Sequence, residues 1–213
     1  MAAVELDHVV IAVRDLGAAA EWFEARYGLR AVEGGRHPAW GTANRIVPLD
    51  DAYLELVTVV DREAAARAAF GRWIAETATA EGVGVLTGWS VRTDAIDHVA
   101  DRLGIEVEEG SRTGRDGATL RWQLAGVDSA AADPALPFFI QRAPGTPLPG
   151  SAEVDHPAGT VGIVGLELVQ DERRVRDWLG PNDLPLTISS GPSAVRAVIL
   201  DTAAGHVRLP STA

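Results

Sequence analysis

The 213-residue sequence contains no cysteine and no lysine. The first absence excludes disulfides, thiolate metal centres and cysteine nucleophiles together. The second excludes Schiff-base chemistry and a lysine general base, and leaves arginine as the basic residue at all 19 positions, charged at any working pH. No run approaches the ~18 apolar residues a membrane-spanning helix needs. The opening Met1–Asp7 has neither the basic segment nor the apolar stretch of a secretion signal, so a cytoplasmic location is expected. Phosphate-binding loops of the form GxxxxGK and nucleophile elbows of the form GxSxG are also missing.

What is present is ordinary for a globular protein. Hydrophobic residues make up 46% and charged residues 23%, enough for a packed core without staples. The formal charge of −11 repels nucleic acid and anionic lipid, so neither is expected as a partner.

One pattern recurs along the chain. Asp7–Asp15 reads as a β-branched strand, Gly17–Tyr27 as a helix stopped by Gly28, and 29–33, 42–49 and 52–60 as strands. Leu103–Ser111 echoes Tyr27–Gly35 at an offset of 104 − 28 = 76, after a helix over 94–103 and the strand-like Gly88–Thr93. Strands at 105–109, 118–125 and 137–142 complete this copy. A fainter third copy follows the linker 143–150, with a helix over 172–179, Gly180 as its stop, and strands at 185–189, 194–201 and 205–209. An added helix, 62 to roughly 80, separates the first two copies, with Asp61 as its N-cap. The expected organisation is 1–142 as paired βαβββ units and 143–213 as a linker and a third unit. The fold class is α+β, with repeated βαβββ units forming a cup-shaped mixed sheet.

A βαβββ unit that opens with Leu6-Asp7-His8-Val9-Val10-Ile11-Ala12-Val13 and closes with Tyr53-Leu54-Glu55-Leu56-Val57 resembles the vicinal-oxygen-chelate superfamily. The intervening run from Gly35 to Asn44 resembles its glyoxalase-like branch. The resemblance implies a cup holding a divalent metal ion, with His8 on the first strand and Glu55 on the last as ligands. Such an ion chelates neighbouring substrate oxygens and stabilises an enolate or oxyanion, as in metal-dependent lyases, isomerases and dioxygenases. The second copy departs from this pattern. At an offset of 78, His8 corresponds to Leu86, and Glu55 corresponds to Phe139 or Ile140. The alternative to a metal enzyme is therefore a metal-free protein that binds or sequesters a small molecule.

The residues themselves add candidates. The polar and aromatic loop around His37 and Trp40 suggests His37 as an acid–base group and Asn44 as a carbonyl-orienting group. Trp40, Thr42, Trp89, Trp122 and Phe139 are the expected lining of an apolar ligand pocket. A structural alternative pairs Glu55 with Arg45. The third copy, rich in Val, Ile and Leu, exposes an apolar sheet face if it stands alone, and a homodimer is expected to cover it.

Overall fold

The computed structural model describes residues 4–78, 83–113, 117–159 and 161–211. The first unit is β1 (Glu5–Val13), α1 (Leu16–Tyr27), β2 (Val32–His37), β3 (Thr42–Leu49) and β4 (Ala52–Val59). After it come α2 (Arg62–Arg67) and α3 (Ala69–Thr77). The second unit is β5 (Gly84–Arg92), α4 (Ile96–Leu103), β6 (Val107–Thr113), β7 (Thr119–Ala125), α5 (Val127–Ala132) and β8 (Phe138–Arg142). The remaining elements are β9 (Gly162–Val169), α6 (Glu172–Leu179), β10 (Leu186–Ser189), β11 (Ala194–Thr202) and β12 (Gly205–Pro210).

Local chemistry sets the helix limits. Asp15 begins α1 by accepting from the Ala18 amide, Asp61 begins α2, and Asp171 begins α6. Gly28 ends α1 in the left-handed region, at φ 67°. The single helix expected over 62–80 is in fact two. Ala68 is extended, at φ −116° and ψ 141°, and the turn lets α3 lay Phe70, Trp73 and Ile74 against Val10, Phe138 and Ile140. The end of the expected helix, 79–82, lies outside the described residues. The short α5 had no counterpart in the sequence reading.

Eight strands close into a barrel in the order β1-β4-β3-β2-β6-β7-β8-β5. The two units meet where β1 and β5 run antiparallel, and β2 meets β6 on the far side through Arg36 and Thr113. Side chains alternate across each strand. Val9, Ile11, Trp89 and Phe139 therefore point outward into a core shared with α1 and α4, while Val10, Val57, Phe138 and Ile140 point inward.

Strand register corrects the correspondence between the units. Helices α1 and α4 begin at Leu16 and Ile96, an offset of 96 − 16 = 80. Val10 pairs with Glu55 on β4, and Ser90 pairs with Phe138 on β8. At this offset Gly88 matches His8 and Phe138 matches Glu55, in place of Leu86 and of Phe139 or Ile140.

Strands β9 to β12 form a separate four-stranded sheet in the order β10-β9-β11-β12. Its Leu166, Leu168, Val195, Val198 and Leu200 are buried in the same core as Trp89 and Phe139. The apolar face that called for a second chain is thus covered by the barrel of its own chain, which removes the argument for a homodimer. Asp133 fastens this junction, accepting hydrogen bonds from Gln170 and Ser193 and pairing with Arg174 at 2.7 Å.

Candidate functional site

The barrel encloses a cavity lined by side chains from both units. His8, His37, Trp40, Asn44, Tyr53 and Glu55 come from the first, and Arg112, Leu120, Trp122, Phe138 and Arg142 from the second. Phe70 of α3 forms part of the wall, and Thr146, Pro147 and Pro149 of the linker border it.

His8 is fixed on every side. Its ring stacks on Tyr53 at 4.7 Å between centroids and meets the edge of Phe138 at 5.4 Å. Its Nδ1 lies 2.6 Å from Asp7 Oδ1. Neighbours on a regular strand face opposite ways, so Asp7 ought to point away from His8. The β1–β5 register shifts between Leu6 and His8, and this bulge turns the Asp7 carboxylate onto the imidazole. Arg142 holds Asp7 through two hydrogen bonds and also donates to the Tyr53 hydroxyl at 3.3 Å. Burial pushes the Asp7 carboxyl up, but the bonds from His8 and Arg142 outweigh it and hold the group well below the usual carboxylate range. Asp7 is therefore ionised and accepts the Nδ1 proton, which leaves Nε2 as the basic nitrogen. Burial drives the Tyr53 phenol well above its ordinary pKa, so it stays protonated and able to donate.

His8 Nε2 faces Glu55 Oε2 across 3.6 Å. The other oxygen of Glu55 accepts from Asn44 Nδ2 at 2.5 Å, and Asn44 Oδ1 accepts from the Gly35 amide at 2.9 Å. Both ends of the Asn44 amide are thus engaged, and the bond from Nδ2 positions Glu55. Arg45 sits beside Leu56 in the β3–β4 ladder, one residue out of step with Glu55, and makes no ion pair with it among the described residues.

His37 lines the cavity with Nδ1 3.0 Å from Thr42 Oγ1, close to Trp40 and Trp122. Thr42 is fully buried and holds the ring without lining the cavity. Burial lowers the pKa of His37 to about 4, with Glu55 opposing the shift and Arg112 adding to it. His37 is neutral at pH 7. In the unfolded chain it titrates near 6.5, so that state binds the extra proton first as pH falls. Stability is lost from about pH 6.5 down to about 4, by roughly 3 kcal/mol over the window. His37→Gln should flatten that part of the curve, as read by urea unfolding at a series of pH values. An unchanged slope would show that His37 is not the titrating group.

Trp89 and Phe139, expected in the pocket, lie on the outer side of the barrel. Both are fully buried, and the Trp89 indole donates to the Ala135 carbonyl at 3.0 Å. Phe138, one residue earlier, faces the cavity instead. Elsewhere, His156 accepts from the Arg30 amide at 2.9 Å and contacts the Pro48 carbonyl at 2.7 Å, which ties the segment before β9 to the first unit. The sequence reading missed Asp7, Tyr53, Arg112 and Arg142. Of these, Asp7 was visible beside His8, and Tyr53 lay on the face of Glu55.

A family model described as a glyoxalase-like domain matches residues 6–181. The chain belongs to the glyoxalase-like domain family. Among solved structures, this glyoxalase-like protein is similar to a hypothetical protein from Staphylococcus aureus, with 18% identity over 94% of this chain and 92% of the other, at a TM-score of 0.72. It also matches methylmalonyl-CoA epimerase from Mycobacterium tuberculosis, with 24% identity over 65% of this chain and 88% of the other, at a TM-score of 0.46. The Streptomyces coelicolor epimerase in complex with 2-nitronate-propionyl-CoA matches at 23% identity, over 66% and 95%, with a TM-score of 0.47. We found no match among curated proteins.

The superfamily's divalent ion needs donors from both units. In this glyoxalase-like protein the first unit supplies His8 and Glu55, but the matching positions of the second are Gly88 and Phe138. Gly88 is required as it stands, because a Cβ there would lie 2.3 Å from Trp73 Cη2. Among the described residues, no group of three or more His, Cys, Asp and Glu side chains is arranged to hold a metal ion. Two donors from one unit do not make such a centre.

Proposed function

We propose that this protein transfers a proton at a carbon next to a carbonyl group in a small organic molecule with an apolar body, without a resident metal ion. The observation that carries this reading is the Asp7–His8 pair, with Nε2 of His8 turned toward Glu55 across a 3.6 Å gap in an aromatic cavity. His8 Nε2 takes the proton from carbon, and the C–H electron pair moves onto the carbonyl oxygen. The resulting imidazolium is flanked by the carboxylates of Asp7 and Glu55, which favour its charge. The protonated Tyr53 hydroxyl is the donor for the developing oxyanion. Nε2 then returns a proton to the enolate: one that has exchanged with solvent gives hydrogen exchange at the same carbon, and delivery to a neighbouring atom of the enolate gives isomerisation. Trp40, Phe70, Trp122 and Phe138 exclude water and hold the apolar body.

The test is deuterium incorporation from D2O into a panel of aryl ketones and 2-oxo acids, followed by proton NMR with chelator present. Exchange by the chelated protein supports the reading. Ligand binding, seen as a change in tryptophan emission, without exchange of any panel member would replace it with a sequestering protein.

Metal addition provides a separate test. Zn, Mn, Ni or Fe(II) should move the melting temperature of the chelated protein by less than about 1 °C, because an ion without a site stabilises nothing by mass action. A larger rise that disappears in the double variant His8→Ala, Glu55→Ala would establish a metal centre.

A further inference from the structure

We infer that the ligand of this cavity is a monocarboxylate, held by Arg112 while its apolar body lies on the indole of Trp122. The inference rests on the proposed site and names the class of molecule it takes. Charge bookkeeping inside the cup points to Arg112. The Arg142 guanidinium is committed to Asp7, and the surface arginines Arg30, Arg92 and Arg208 each meet a carboxylate. Arg112 is half-buried, lines the cavity, and has no acidic partner or hydrogen-bond acceptor among the described residues. A protein with 30 acidic residues and a net charge of −11 has left this cation open on an inward face. Its field reaches both His37 and Tyr53 across the cavity.

The setting of the guanidinium is built. Its stem lies against Gly35 of β2, where a Cβ would come within 2.7 Å of Arg112 Cγ. The absence of a side chain there lets β2 and β6 close on the stem. On the neighbouring strand Arg112 is paired with Leu120, and Gly110 with Trp122. A Cβ on Gly110 would come within 2.2 Å of Trp122 Nε1, so the indole lies flat across the glycine. Cation and apolar platform therefore stand side by side on adjacent strands. A guanidinium presents paired N–H donors that match the two oxygens of a carboxylate, and its single charge suits a monoanion. Arg121, exposed at the cavity margin, adds positive charge along the approach.

The test compares two probes of one shape, 3-phenylpropanoate and 3-phenylpropanamide, by titration calorimetry at low salt. Neither has the ketone that His8 acts on, so the readout is binding alone. The wild type is expected to bind the carboxylate at least about tenfold more tightly than the amide, since hydrogen bonds to a charged group exceed neutral ones. Arg112→Gln should bring the two probes to parity, and Arg112→Lys should retain part of the preference. Because neither probe is a substrate for exchange, a carboxylate preference that depends on Arg112 stands or falls separately from the proton-transfer reading. Equal binding of both probes by the wild type would overturn it. So would a preference that survives Arg112→Gln, or no binding of either probe at about 10 mM. Phenyl phosphate binding more tightly than phenylpropanoate would overturn the carboxylate class in favour of a phosphomonoester.

Discussion

Replacing Asp7 with Ala should lower the stability of the protein by about 3–5 kcal/mol, read as a fall in the urea midpoint at pH 7. Asp7 is 1% exposed and Arg142 is close to fully covered, so the substitution strands a guanidinium in a dry environment. It also leaves the Nδ1 proton of His8 without its acceptor. A domain of this kind has about 5–15 kcal/mol in total, and the loss is a large share of it. The pair itself contributes much less than its rupture costs, because both charges gave up water to form it. The double variant Asp7→Leu, Arg142→Met should therefore recover most of the loss. The pH dependence has a definite sign. Asp7 is depressed in the folded state, so its contribution is complete above the unfolded value near 3.9 and is lost as pH falls below it. The Ala variant should lack that acid-side decline. A cost below about 1 kcal/mol for Asp7→Ala would mean that the network is solvated and does not fix the ring of His8.

The second large effect concerns the proposed chemistry. His8→Gln should reduce deuterium exchange into a substrate by about 10²–10⁴-fold, the range expected when a positioned general base is removed. Substrate affinity should change little, because the wall of Trp40, Phe70 and Trp122 is intact. Glutamine approximates the imidazole in size and keeps a hydrogen bond to Asp7 within reach, so the stability of the fold is expected to hold. Asp7→Asn is the companion variant. A neutral amide favours the wrong tautomer of His8, with the proton on Nε2, and should slow exchange while leaving a neutral ligand bound. In that role Asp7 is a positioning residue, and the measurement that separates it from a merely structural group is the split between rate and affinity. The exchange rate should fall in Asp7→Asn while the dissociation constant of a neutral ligand holds. Exchange at wild-type rates in His8→Gln would assign the proton transfer to Glu55 or His37.

Much of the architecture was legible because strands and helices announce themselves locally. The β-branched run at 7–13, the cap Asp61 and the stop at Gly28 act within a few residues, and a strand, a helix start and a helix end appear where they place them. His8, Glu55, Trp40 and Trp122 were also legible as cavity residues, from alternation along β1, β4 and β7 and from the glyoxalase-like resemblance. The strands, caps and stops follow from sequence spacing, which the sequence by itself determined, whereas His8 and Glu55 rested on the resemblance.

Other features depended on geometry that spacing does not encode. A one-residue irregularity flips every later side chain to the opposite face. An offset between the units that is wrong by a residue or two has the same effect on paper, and the structure has Phe138 in the cavity in place of Phe139, and Trp89 in the outer core with Ala135 as its partner. The same physics joined Asp7 to its neighbour His8, a contact a straight strand forbids. Arg142 lies 135 positions from Asp7, and only barrel closure brings the two together. The fate of the third sheet was likewise tertiary. Its apolar face needed cover, and the sequence could not say that the cover would be the chain's own barrel, because burial rewards any apolar surface that fits and carries no label of origin.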